Sequence, residues 1–167
     1  MMKDPRDNSK IEIRPFEPED VDEATTVMAR AFDDDSRRHL GKDRGGPPGY
    51  DTGEFLRENA LNPQARAFKA IVDGSIAGAI IVFPQPDGNH WLGYMFTDPA
   101  RQRTGVGRAL FRHVERAFPA RSWQLETPSF ALSNHRFYEL ACGFTKARES
   151  VGPEGFPQVL YRKEYRR

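Results

Sequence analysis

The residues best suited to chemistry are two glycines set among arginines. Arg101-Gln102-Arg103-Thr104-Gly105-Val106-Gly107-Arg108 follows an apolar run that ends at Thr97 and opens an amphipathic stretch. The first amides of a helix have no partner within it, and the helix dipole adds positive charge there. Glycine lets an anion reach such amides, and Arg103 and Arg108 add charge, so this segment predicts a phosphate site. Two commoner phosphate loops are excluded. No Gly-Lys pair is followed by Ser or Thr, and Leu110 stands where a dinucleotide fingerprint needs its third glycine. The acids Asp33-Asp34-Asp35 could hold a cationic group, although a charge run also reads as a solvated face. No pair among the four histidines has metal-ligand spacing, so no metal is predicted.

The elements that must position this loop follow from periodicity. Residues 11–16 alternate as a half-buried strand does. Pro18, Glu19 and Asp20 begin a helix whose stripe is Val21, Ala24, Val27, Met28, Ala31 and Phe32, expected to stop near Asp33–Asp35. Residues 36–53 read as a long loop, and Glu54 to Leu61 as a short helix. Apolar runs at 67–72 and 76–83 flank Asp73-Gly74, a hairpin signal, and a third strand covers 91–97. Val106, Ala109, Leu110, Val114, Ala117 and Phe118 form a helical stripe ended by Pro119. A strand at 123–127, a short helix capped by Ser133 and closed by Gly143, and strands at 145–151 and 159–165 complete the chain. The strand–loop–helix–strand passage implies a parallel crossover, hence a mixed sheet. Residues 1–9 read as a disordered lead and residues 10–167 as one domain.

Residues 99–110 resemble the acetyl-CoA loop of the GNAT superfamily of N-acetyltransferases: Gln102-x-x-Gly105-x-Gly107 matches its [QR]-x-x-G-x-[GA] pattern. Downstream, Asn134-His135-Arg136-Phe137-Tyr138-Glu139-Leu140-Ala141-Cys142-Gly143-Phe144 is similar to the family's second signature, an Asn and a Tyr on a short helix ending in Gly-Phe. The order of elements agrees from Ile11 to Tyr165. The resemblance implies an α/β fold of the α+β type, with a mixed, mostly antiparallel sheet of about seven strands flanked by about four helices. It also implies direct acetyl transfer from acetyl-CoA to an amine of a small molecule or peptide.

On that resemblance, the backbone of Met95, Phe96 and Thr97 would lie beside the pantetheine arm. The pyrophosphate would sit on the amides of Arg103, Thr104, Gly105, Val106, Gly107 and Arg108, with Gln102 part of the same signature. Asn134 would touch the cofactor arm, and Tyr138 would protonate the departing thiolate, a role open to a phenol with a pKa near 10. A primary amine of pKa about 10.4 is only about 0.1% neutral at pH 7.4, so a base or a lowered pKa is needed. Some family members carry a glutamate on the strand before the loop. Residues 91–97 hold no acid here, and Glu126 is the substitute on the next strand, where it reads equally as an exposed carboxylate. The Tyr50 region and residues 155–157 are expected to form lids over the acceptor mouth.

Composition sets the remaining bounds. The chain has 167 residues, 38% of them hydrophobic, and a net charge of +1. That suits one domain and argues against general electrostatic binding of nucleic acid. No apolar run approaches a membrane span, and the polar start lacks a secretory signal. Cys142 alone excludes an internal disulfide. A cytoplasmic protein is expected, and family analogy allows a homodimer. The alternative to an enzyme is a non-catalytic acyl-CoA-binding sensor or interaction module with the same fold.

Overall fold

A computed structural model describes residues 10–152 and 155–166. The disordered lead expected at 1–9, and part of the turn at 152–157, lie outside the described residues. The strands are β1 (Glu12–Pro15), β2 (Arg66–Val72), β3 (Ser75–Phe83), β4 (Asn89–Thr97), β5 (Ser122–Pro128), β6 (Thr145–Val151) and β7 (Pro157–Glu164). The helices are α1 (Val21–Leu40), α2 (Glu54–Asn59), α3 (Val106–Ala117) and α4 (Leu132–Arg136). One sheet runs in the order β1-β2-β3-β4-β5-β7-β6, antiparallel except between β4 and β5. Asp73 and Gly74 both take positive φ (52° and 80°), as the two-residue turn between β2 and β3 requires.

The sheet buries both faces. Ile80, Val82, Leu92, Trp123, Leu125 and Tyr161 pack with Leu110, Phe111 and Val114 of α3, while Ile76, Ala79, Ile81 and Phe96 pack with Val27 and Met28 of α1 and Phe55 and Leu56 of α2. A bulge in β4 lets one strand serve both layers. Val82 pairs with Leu92 but Ile81 pairs with Tyr94, so Gly93 is the extra residue and side-chain alternation reverses across it. A Cβ on Gly93 would stand 2.5 Å from the Phe83 ring, which explains the glycine.

The first helix corrects an expectation. It does not stop at Asp33–Asp35 but continues to Leu40, and Gly41 closes it at φ 64°. Asp34 pairs with Arg38 one turn on, at 2.8 Å, and Arg37, Arg38 and His39 supply the basic last turn that the dipole favours. The acids therefore lie inside the helix, and the following loop shrinks to residues 41–53. Two smaller corrections concern α4. Its N-cap is Ala131, not Ser133, and after Arg136 the chain widens into a π-helical turn, Phe137–Ala141.

The far side of α3 is tied to β7 by a polar group. Lys163 Nζ donates to Glu115 Oε2 at 2.6 Å, and the Tyr165 hydroxyl donates to the same oxygen. Burial acts to raise the Glu115 carboxyl, but these hydrogen bonds and the charges of Lys163 and Arg112 outweigh it and hold it below its ordinary value. A depressed carboxylate stabilises the fold above its unfolded pKa of about 4.3, and that stabilisation is lost as pH falls through the folded value. Glu115→Gln should therefore cost about 1–2 kcal/mol at pH 7 in urea unfolding, and the difference should close as pH falls below the folded value.

Candidate active site

Strands β4 and β5 begin side by side and then part. Their parallel pairing covers only Asn89, His90 and Trp91 against Ser122, Trp123 and Gln124. Beyond Trp91, β4 keeps its bonds to β3 on one side, while β5 stays paired with β7 through Pro128. The facing edges of residues 93–97 and 125–128 thus bound a wedge. An unpaired strand edge carries backbone donors and acceptors that an extended ligand can use.

The glycine loop lies at the open end of this wedge. Asp98 shapes its start: one carboxylate oxygen accepts from the Ala100 amide at 3.0 Å, and the other from Arg30 of α1 at 2.9 Å. The Thr104 hydroxyl donates to the Arg101 carbonyl. Arg103 (φ 65°) and Gly105 (φ 91°) are left-handed on either side of Thr104, a backbone alternation that turns successive amides toward a common anion. Gly105 caps α3, so Val106, Gly107 and Arg108 are its first three residues, whose amides lack intrahelical partners. No acid pairs with the Arg103 or Arg108 side chain among the described residues. Gln102 is held by Arg38, which donates to its side-chain oxygen at 3.0 Å.

Phe137 links this cradle to Tyr138. An added Cβ on Gly107 would stand 2.9 Å from the Phe137 ring and 3.6 Å from the Thr97 hydroxyl, so α3, β4 and the π turn meet here. Tyr138 is 8% exposed and packed among the rings of Phe137, Phe144 and Tyr161. Its hydroxyl makes no hydrogen bond to any described residue. Burial, with smaller contributions from Cys142 and Asp35, pushes the phenol well above its ordinary value, so it keeps its proton throughout the physiological range. Burial also pushes the Cys142 thiol up to about 12, which leaves it inert as a nucleophile. Asn134 Nδ2 donates to Thr127 Oγ1 at 3.3 Å, tying α4 to the free end of β5.

Met95 and Thr97 lie on the unpaired part of β4, the 102–108 loop follows it, and Asn134 is tied to β5, while Phe96 and Tyr138 are buried in the two core layers. Glu126 lies on the other face of β5 from Leu125, which shares a core layer with Tyr138. It is exposed and alternates with the core-facing Leu125 and Thr127, so it projects from the sheet face that carries α1 and α2. In the Tyr50 region, Tyr50 is 9% exposed and donates to Asp33 Oδ1 at 2.6 Å, which fastens the loop to α1. His135 is engaged too, with Nε2 2.9 Å from the Pro128 carbonyl. Spacing gave no sign that α1 reaches the opening. His39 Nε2 lies 3.2 Å from Ser133 Oγ, and its ring is 6.3 Å from Phe130. Only the Asp34/Arg38 spacing could have signalled that the helix runs so far.

Two parting strands beside a cradle of helix-start amides are the site's defining geometry. The chain belongs to the GNAT family of acetyltransferases, whose family pattern matches residues 22–144. Its fold is that of solved members. A GNAT-family protein from Desulfovibrio desulfuricans is 24% identical, with a TM-score of 0.71 over 92% of this chain and 98% of its own. The ribosomal-protein-S18-alanine N-acetyltransferase of Escherichia coli is 20% identical, with a TM-score of 0.69 over 92% and 93%. The PaiA N-acetyltransferase of Thermoplasma acidophilum, solved with coenzyme A, is 16% identical, with a TM-score of 0.71 over 93% and 99%. No curated protein matches the sequence. Among the described residues no helix is long and apolar enough to cross a membrane, and no group of three or more His, Cys, Asp or Glu is placed to hold a metal.

Proposed function

We propose that this chain is an N-acetyltransferase that passes the acetyl group of acetyl-CoA directly to an amine of a small molecule or peptide. The observation that carries the reading is the parting of β4 from β5 beside the left-handed loop, which fits a long arm ending in a pyrophosphate. Bound acetyl-CoA would supply a thioester open to attack by nitrogen. The amides of Val106, Gly107 and Arg108, with Gly105, Thr104 and Arg103, would bind the pyrophosphate, and Gln102, held by Arg38, would fix the loop. The edge of Met95, Phe96 and Thr97 would orient the pantetheine arm, with Asn134 reaching it from the far bank. Tyr138 would hold its proton beside the sulfur and release it as the C–S bond breaks. Glu126 would place negative charge on the acceptor face, where a cationic amine enters.

The test pairs a binding and a turnover measurement. Calorimetry should give one CoA site per chain. Acetyl-CoA mixed with spermidine, tyramine and an alanine-terminated peptide should release free thiol with at least one of them. CoA binding without thiol release from any amine would overturn the enzymatic reading in favour of a sensor.

A further inference from the structure

The three acids of α1 have different surroundings. Asp33 accepts from the Tyr50 hydroxyl at 2.6 Å and from the Gly45 amide at 3.1 Å, so it fastens the loop after the helix. Asp34 is taken by Arg38 at 2.8 Å and Arg37 at 3.9 Å. Asp35 has no hydrogen bond and no ion pair among the described residues, although it is half-buried.

Helical spacing shows where Asp35 faces. Arg38 and His39 follow it by three and four residues and share its side of α1. Arg38 reaches Gln102 of the glycine loop, and His39 reaches Ser133 and Phe130 at the start of α4. This side of α1 therefore spans the opening between the two banks of the wedge. Asp35 lies one turn before Arg38 and His39 on this side, and its charge is one of the smaller causes that raise the Tyr138 phenol. A half-buried carboxylate without a hydrogen bond is costly, and a cationic group that came to meet it would relieve that cost.

We propose that Asp35 receives the acceptor as a primary ammonium and is the general base of the transfer, a role that rests on the acetyltransferase reading above. Asp35 takes one proton from the ammonium. The freed nitrogen forms the C–N bond while the C–S bond breaks, and Tyr138 gives its proton to the departing sulfur. Tyr138 regains a proton from the new amide nitrogen, and Asp35 returns its own to water. Glu126 is less suited to this work because bulk water already solvates it. The charged groups that act on Asp35 are His39, Asp34 and Arg38, all on α1. Burial, and then Asp34, raise its carboxyl, against the lowering pull of His39 and Arg38, and the net direction is up. Activity should accordingly fall as pH drops through a value above the usual carboxylate range.

Tyrosine labelled with 13C at Cζ reads the geometry without turnover, its Tyr138 line assigned through Tyr138→Phe. That line should show a step in acid that disappears in Asp35→Asn and survives in Glu126→Gln. With whichever amine releases thiol, Asp35→Asn should lower kcat by about 10²-fold and erase the acidic limb, and Asp35→Glu should restore part of both. CoA affinity by calorimetry should stay within about threefold. Melting at pH 7 should change little, because the substitution removes a half-buried charge that holds no hydrogen bond among the described residues. A Tyr138 line blind to Asp35→Asn, or the larger kcat loss falling on Glu126→Gln, overturns the proposal. Thiol release from no amine, with CoA still bound and the tyrosine step present, overturns the transferase reading and the base role together.

Discussion

Tyr138→Phe should lower kcat by about 10²-fold, which is about 2.7 kcal/mol of barrier, while CoA affinity stays within about threefold. The substitution removes one oxygen and little else. The Tyr138 ring packs against Phe137, Phe144 and Tyr161, and a phenylalanine ring keeps those contacts. The hydroxyl bonds to no described residue, so its loss strands no buried partner, and melting should be unchanged or slightly raised. Because burial holds the phenol protonated through the physiological range, no pH near neutrality should mimic the variant. Rapid-quench turnover with acetyl-CoA, alongside calorimetry with CoA, separates the two effects. A variant with unaltered kcat would reduce Tyr138 to a packing residue of the π turn.

The loop was legible in sequence because its constraint is local. Gly105 must take φ 91° to turn the chain into α3, and the paired glycines advertise that need without reference to anything distant. Tyr138 differs. A tyrosine beside a phenylalanine on a short helix looks like core, and it is indeed buried, so only the likeness to a family signature singles it out. The parting of β4 from β5 has no local signal at all. It depends on β5 keeping β7 as its partner after Trp91 and Gln124, a choice made by residues 30 to 36 positions apart. The end of α1 is hidden from sequence for a related reason. Three acids oppose a helix terminus, but Arg38 one turn on, and the contacts of Arg38 and His39 across the opening, extend the helix beyond them. Ser133 likewise reads as a cap from composition, yet its hydroxyl is turned toward His39.

Gly107→Ala should weaken CoA binding by at least about tenfold, roughly 1.4 kcal/mol, with little change in melting temperature. In an open helix this exchange would stabilise by about 1 kcal/mol, since alanine is the better helix former. Here the new methyl meets the Phe137 ring at 2.9 Å and 3.3 Å, closer than packed carbons tolerate. Phe137 cannot simply swing clear, because its ring lies 5.4 Å from that of Tyr138 in the same turn. Either the first turn of α3 lifts from the π turn or Phe137 moves and carries Tyr138 with it. The propensity gain offsets that strain, so the fold survives while the amides of Val106, Gly107 and Arg108 shift relative to β4. Affinity for CoA should fall in calorimetry, and affinity for a truncated pantetheine lacking the pyrophosphate should fall much less. Equal losses for both ligands would mean that the displaced element is the β4 edge near Thr97. Unaltered affinity for both would remove the first turn of α3 from the phosphate site.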